Sequence, residues 1–460
     1  MNRYAWTLAF SVSCAPAAAP VSATLPPAAA SAAAIPATVA PASARPDDQT
    51  ALDEKLGRAL AYVAELRQLA PKSGVEGRLI SRAEIERFIL QQIEEEAPKD
   101  VIPATEALLF GFGTVDASFD YRKTLVQLMT TQLLGFYDPK RKTFFVSGDL
   151  SGEEADATLW HELVHALQDQ HYDLSRLTDW QPDRGDTQAA AHALAEGDAT
   201  SAMLDAVMKP RGGTALDLPD GVLRAESVLG AAALSAPGIL VRSLIAPYAD
   251  GLTFANHLRK RGGFGAVDAA WRALPVSTEQ LLHPEKYFAA EAPLVVPLPS
   301  APPHLPELKE RFHDVMGEQG VRLLLEEWLP AGTAAAAASD WGGDRLAVFS
   351  DDARQRWAVG WHLRFDSGAA ARRALEAWAR TLPLTDRSLI TTSAPAVPAK
   401  VSVKGDQLCR PRHTQGPIAL VRRGPDLAVT VGPLERNGVA AEPDPNCAAA
   451  LMWAKTIATN

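Results

Sequence analysis

Hydrophobic positions recur first at helical spacing. Leu52, Leu56, Leu60, Val63 and Leu66 fall on one helical face. Ser81 and Glu84 make a capping-box pattern that opens a second helix, which carries Ile85, Phe88, Ile89 and Ile93 and stops at Pro98. Leu125, Leu128, Met129 and Leu133 mark a third. The pattern then changes. Gly135-Phe136-Tyr137-Asp138 and Thr143-Phe144-Phe145-Val146 flank a polar Asp-Pro turn, which predicts a hairpin. Ser151 and Glu154 form another capping pattern at the start of the next helix. An Ala-rich helical pattern runs from Thr187 to Met208. Pro247 is expected in the first turn of a helix that ends at Gly262-Gly263.

Residues 275–303 look irregular, and 293–306 are rich in Pro, so a domain boundary is placed there. Beyond it the character changes. Trp357, Val359, Trp361, Leu363 and Phe365 alternate with Arg356, Ala358, Gly360, His362 and Arg364, the pattern of a half-buried strand. A helix is predicted over 368–381, with strands at 400–404, 417–422 and 426–431. This C-terminal unit reads as a small α+β domain. It carries no nucleophile–base arrangement, no phosphate loop and no internal repeat.

Composition narrows the classes. The 460 residues are 47% hydrophobic and 22% charged, so the chain is globular with material for two or three domains. A net charge of −10 gives a nucleic-acid partner no electrostatic support, and none is expected. No unbroken apolar run reaches the roughly 18 residues of a membrane-spanning helix. Three cysteines are too few for a disulfide scaffold or a CxxC-type metal site, which leaves His and carboxylates as metal donors.

The N-terminus points to export. Arg3, an apolar stretch from Tyr4 to Val12 and small residues after it read as a signal peptide over 1–19. A second reading makes Cys14 an acylated cysteine and the protein a lipoprotein. Residues 15–46 hold 15 Ala and 7 Pro, a density of Pro that forbids a helix, so 20–50 is expected to be a disordered tether. In an oxidising compartment Cys409 and Cys447 either pair or remain two thiols.

The chemistry begins at His161-Glu162-Leu163-Val164-His165. On a helix, positions i and i+4 lie about 40° apart, one turn along, so both imidazoles leave one face and can bind one ion. Glu162 lies about 100° from His161, within reach of a water beside the ion without being a ligand. Two neutral imidazoles suit zinc, which takes four ligands and leaves one position to water in catalytic sites. A third protein ligand is required. Glu196, in Ala193-Leu194-Ala195-Glu196-Gly197-Asp198-Ala199, is the best candidate, because a carboxylate on an apolar helical face is costly unless paired or metal-bound. Gly197 in mid-helix suggests a close helix–helix approach or a site constraint. Asp198 competes as a ligand but is preferred as the group holding an imidazole N–H. His192, one turn before Glu196, can also approach, and His171 lies at the end of the motif helix or just beyond it.

This arrangement resembles the gluzincin metallopeptidases. His161 to Leu174 (HELVHALQDQHYDL) with Glu196-Gly197-Asp198-Ala199 looks like an exported branch of gluzincin-like proteins. The similarity continues through Pro247-Tyr248, Gly251, Ser277 to Tyr287 and Asp340 to Asp344, and covers roughly residues 50–370. The resemblance implies an α+β fold: a mainly helical zincin-like metallopeptidase domain with a small sheet over 51–295, and a C-terminal α+β accessory domain over 305–460. It implies zinc held by His161, His165 and Glu196, with Glu162 as catalytic base. About 30 residues separate His165 from Glu196, more than in the best-known gluzincins, and Thr178 to Asp186 would be the inserted loop.

The expected function is zinc-dependent hydrolysis of peptide bonds in a secreted or periplasmic protein. Zinc acidifies water toward a pKa of about 7, and Glu162 receives the proton as the carbonyl is attacked. Tyr248, His283 and Tyr287 are the candidates for stabilising the oxyanion, with Tyr248 and His283 placed in the site. The hairpin edge from Phe144 to Ser147 is expected to hold extended substrate by β-addition. Two other readings stand beside this one: an inactive zincin-like surface or binding protein, and a zinc hydrolase of a non-peptide substrate.

Overall fold

The computed structural model describes residues 46–133, 135–148, 153–177, 181–223, 236–353, 355–385, 403, 405–412, 415–435 and 447–459. The signal segment, Cys14, the capping residue Ser151 and all of the predicted 400–404 strand except Val403 lie outside them. The fold is α+β, with many helices, one small sheet and one larger C-terminal sheet.

The first helix, α1 (Pro46–Arg67), begins inside the segment expected to be a tether. Pro46 is in its first turn, where a missing N–H costs nothing. Residues 46–50 of the span expected to be a tether are therefore helical. Strand β1 (Glu76–Ile80), α2 (Arg82–Glu96), α3 (Val101–Gly111) and α4 (Tyr121–Gln132) follow. The Ser81–Glu84 capping box is present in full.

Strands β2 (Gly135–Asp138) and β3 (Thr143–Ser147) form the predicted antiparallel hairpin. The strand order β1-β3-β2 puts β3 in the centre, paired on its other side with β1 in parallel. The Phe144–Ser147 edge expected to bind substrate is thus already occupied by Gly77 to Ile80. Five residues of β1 were too few to show a period.

Helices α5 (Glu153–Tyr172) and α6 (Gly185–Met208) carry the candidate chemistry. The long α7 (Gly238–Arg272) crosses α6 where two glycines meet. A Cβ on Gly197 would lie 2.0 Å from the Gly251 backbone, so only glycine permits the approach. Pro247 does not open α7, which starts at Gly238. It lies in the interior, where Pro normally costs about 3 kcal/mol, and tertiary packing around buried Tyr248 and Gly251 overrides the local preference. The predicted break at Gly262-Gly263 is real, with φ +62 at Gly263.

Two short helices, α8 (Thr278–Leu282) and α9 (Pro284–Phe288), interrupt the stretch expected to be irregular. Then come β4 (Lys309–Asp314), α10 (Gly317–Leu325), α11 (Ala331–Ala338), β5 (Trp341–Ser350), β6 (Arg356–Phe365), α12 (Gly368–Thr381), β7 (Gln407–Arg410), β8 (Ile418–Arg423), β9 (Asp426–Glu435) and α13 (Ala448–Ile457). The sheet order is β4-β5-β6-β9-β8-β7, antiparallel throughout. Strand β6 is not half-buried. Val359 and Trp361 pack against α3, α11 and α12 on one face, while Ala358 packs against Trp453 of α13 on the other. Cys409 and Cys447 form a disulfide that ties β7 to the start of α13.

The larger core is not made by C-terminal residues alone. Ala104, Leu108 and Phe112, in and just after α3, lie in it with Trp361 and Trp378. A second core fixes α5 through Leu159, Leu163 and Leu167, packed with α1 and α6.

Candidate metal centre

Helix α5 has two faces. Leu163, Val164, Ala166 and Leu167 anchor it in the core, with exposures of zero. His161 and His165 leave a face that meets α6 at Glu196. The Gly197–Gly251 contact brings α7 against the same stretch of α6, so Glu196 is wholly buried.

His161 Nε2 lies 3.1 Å from Glu196 Oε2, and His165 Nε2 lies 3.3 Å from it. The two Nε2 atoms are 2.9 Å apart. Ligands about 2.1 Å from one tetrahedral zinc lie roughly 3.4 Å from one another. The three donors therefore converge on one point at nearly that spacing, with two imidazoles and one carboxylate, a set suited to zinc.

The tautomer of His165 supports the same fit. Gln168 Nε2 donates to Ala195 O and Asp198 Oδ2, each at 3.0 Å. Gln168 Oε1 must then accept from His165 Nδ1, 2.8 Å away. With the proton on Nδ1, the lone pair of Nε2 faces Glu196 and His161. Asp198 is held in turn by Arg67 Nε at 2.5 Å and Trp271 Nε1 at 2.9 Å. The expectation that Asp198 itself holds an imidazole needs correcting: Gln168 stands between them. Asp198 is 30 positions from Gln168 and 131 from Arg67, so only the tertiary fold joins the chain of bonds.

Charges in the cluster are strongly coupled. Burial works against the Glu196 carboxylate, but His165, His161 and His192 outweigh it and hold it well below the usual carboxylate range. Burial pushes His161 down. Burial also acts on His165, but the Glu196 carboxylate overrides it and lifts the ring to about 9. The geometry that favours a proton on His165 Nε2 equally favours a divalent cation there.

Glu162 is fully buried, and its Oε2 accepts the Tyr137 backbone N–H at 2.7 Å. The hairpin thus positions the carboxylate. Tyr137 hydroxyl donates to Asp169 at 2.8 Å, and Lys142 Nζ lies 2.6 Å from the same oxygen. These bonds couple the hairpin to α5 along its length.

The other candidates divide. Tyr248 is buried with its ring 5.8 Å from that of His161, so it belongs beside the cluster. His192 Nε2 lies 3.0 Å from Glu196 Oε1, the oxygen turned away from the imidazole pair, so it approaches the site through Glu196. His171 lies in the last turn of α5, bonded to Ala70 O. His283 is not brought to the cluster: it lies between α8 and α9, where Glu318 bonds it at 2.9 Å and lifts its pKa despite partial burial. Tyr287 hydroxyl donates to Ala273 O. Gln168, Arg67, Trp271 and Tyr137 went unpredicted as parts of the site. Of these, only Gln168 left a local signal, three residues after His165 on the same helical face.

A cavity of about 160 Å³ opens beside the cluster, with His165, Glu196 and His192 in its wall. Residues 306–436, which span β4 to β9, match the model of a domain of unknown function, DUF8575. No curated protein matches the chain. No solved structure matches it.

Proposed function

We propose that this chain is a zinc-dependent metallopeptidase of the gluzincin type, in which Glu162 acts as general base. One observation carries the reading: His161, His165 and Glu196, from two helices, offer donor atoms within 4.8 Å of one another in a buried site. Zinc held by these side chains would polarise the scissile carbonyl and make water acidic enough to ionise near neutrality.

The chain's own residues supply the remaining steps. Glu162, braced by the Tyr137 N–H, takes the proton of the attacking water and delivers it to the leaving amine. Gln168 keeps the proton of His165 on Nδ1, which leaves Nε2 able to hold zinc. Tyr248, beside His161, donates to the developing oxyanion. Export to the periplasm or outside the cell fits the Cys409–Cys447 disulfide, which an oxidising compartment preserves.

The test pairs metal analysis with digestion of a peptide library by wild type and Glu162→Gln. The variant should retain zinc and lose about 10²- to 10⁴-fold in turnover. Full proteolysis by the variant would overturn the mechanism. Retained zinc with no cleavage by wild type would favour a binding protein or a non-peptide hydrolase.

A further inference from the structure

We propose that the cavity beside Glu196 receives one large apolar side chain of a peptide substrate, of the size of Phe or Leu, and that helix α10 sets this preference. The proposal rests on the peptidase reading above.

The size comes first. A cavity of about 160 Å³ is close to the roughly 150 Å³ of an engineered apolar cavity that stays dry and binds benzene. An aromatic ring or a leucine side chain fits. The walls come next. Leu108 and Leu109 of α3, Ile239 and Leu240 of α7, and Met316 with Leu323 face it. His165 and Glu196 also line it, so the cavity reaches the candidate metal ligands. A ligand must therefore be apolar in the cavity and present its polar part to those donors, as an amino-acid residue does with its side chain and adjoining peptide bond. No Lys or Arg lines the cavity among the described residues. An acidic side chain would lose its hydration there and meet the Asp314 carboxylate in the wall.

The wall contributed by α10 is firmly held. Asp344 accepts the backbone N–H groups of Met316 and Gly317 at 3.0 and 2.8 Å. Gln319 and Arg322 bind Asp250 of α7 at 2.6 and 2.5 Å. Gly317 has φ +72, and a Cβ there would lie 1.7 Å from Asp186, so the helix begins against the N-terminal end of α6. Leu323 points to the cavity, while Val321, Leu324 and Leu325 enter the C-terminal core. The C-terminal unit is then part of the substrate site, and Leu323 is a specificity residue.

The experiment uses the full chain and peptides that vary one residue next to the cleaved bond among Phe, Leu, Ala and Glu. Phe and Leu should exceed Ala by about tenfold or more in kcat/KM, with Glu lowest. Leu323→Trp should remove most of the Phe advantage, read as the ratio of kcat/KM for the Phe and Ala peptides. Leu323→Ala should favour larger residues, which guards against a Trp variant that fails to fold. Binding of N-acetyl-4-fluorophenylalaninamide to chelator-treated protein, followed by fluorine NMR, reads the cavity without turnover, and Leu323→Trp should abolish it. Cleavage indifferent to the varied residue, or a preference unmoved by both Leu323 variants, overturns the pocket and leaves the peptidase reading standing. No cleavage by wild type with amide binding that Leu323→Trp abolishes supports the pocket and overturns the peptidase reading. Neither cleavage nor binding overturns both.

Discussion

Among the described residues, two clusters bring three donors to one point. His161, His165 and Glu196 do so in the helical part, and Glu279, Glu291 and Asp366 do so where α8 and the segment after α9 meet the end of β6. The second already contains its cation: Lys286 Nζ lies 2.5, 2.7 and 2.9 Å from the three carboxylates. Its donors are all anionic, and Glu291 and Asp366 are 44% and 40% exposed, so water shares the load. The first has two uncharged-capable imidazoles around one carboxylate, with exposures of 1% or less. Counting acidic and imidazole groups does not separate a structural ion pair from a metal site. What separates them is whether the chain supplies its own lysine, and whether the donors are oriented by bonds behind them.

The largest effect should come from removing the carboxylate of the first cluster. Glu196→Gln leaves two imidazoles and a weak neutral donor. Zinc affinity, measured by competition with a chromogenic chelator, should fall by more than about 100-fold, beyond what loss of an outer-shell partner costs. Affinity within a few-fold of wild type would show that the ion, if bound, sits elsewhere. A smaller loss, about 10- to 100-fold, is expected for Gln168→Leu. That variant deletes no donor. It frees His165 to take the other tautomer and leaves Asp198 to Arg67 and Trp271. Unchanged affinity in Gln168→Leu would mean that the second cluster is the better model for the first, with orientation irrelevant.

The sequence made these two clusters unequally legible. His161, Glu162 and His165 lie within five positions of one helix, so spacing alone puts the imidazoles on one face. Glu196 stood out because an acid surrounded by Ala, Leu and Gly is costly unless bound, and Gly197 marked the crossing with α7. The bonds behind the site were illegible because they join residues such as Arg67 and Asp198, brought together only by packing. His283 was misplaced for the same reason: its local motif was visible, but Glu318, 35 positions on, is what binds it. Two aromatic runs around a polar turn specify the hairpin, whereas the five residues of β1 carry no detectable period, so the edge expected to be free is covered. Helix α3 went unseen because its buried residues fall all round it, which leaves no amphipathic period to detect.

The mildest prediction turns the second cluster toward the first. Lys286→Met removes the internal cation and leaves three carboxylates facing one another. Burial already pushes Glu279 up to about 7, although Lys286 lowers it. A folded pKa above the ordinary value of 4.5 means that its stability contribution is complete below about 4.5 and is lost as pH rises through about 7. Without Lys286 that upper limit moves higher, and ionising Glu279 costs more. The variant should be nearly as stable as wild type at pH 5 and about 1–2 kcal/mol less stable at pH 8, a modest figure because two of the three acids are solvated. Melting temperatures at the two pH values measure this, and an equal deficit at both would show that Lys286 acts through packing rather than charge. Oxygen donors of this kind suit hard divalent ions. Millimolar calcium should therefore raise the melting temperature of Lys286→Met at pH 8 and leave that of wild type unchanged. A response in wild type as well would mean that Lys286 does not fill the site as its three short contacts imply.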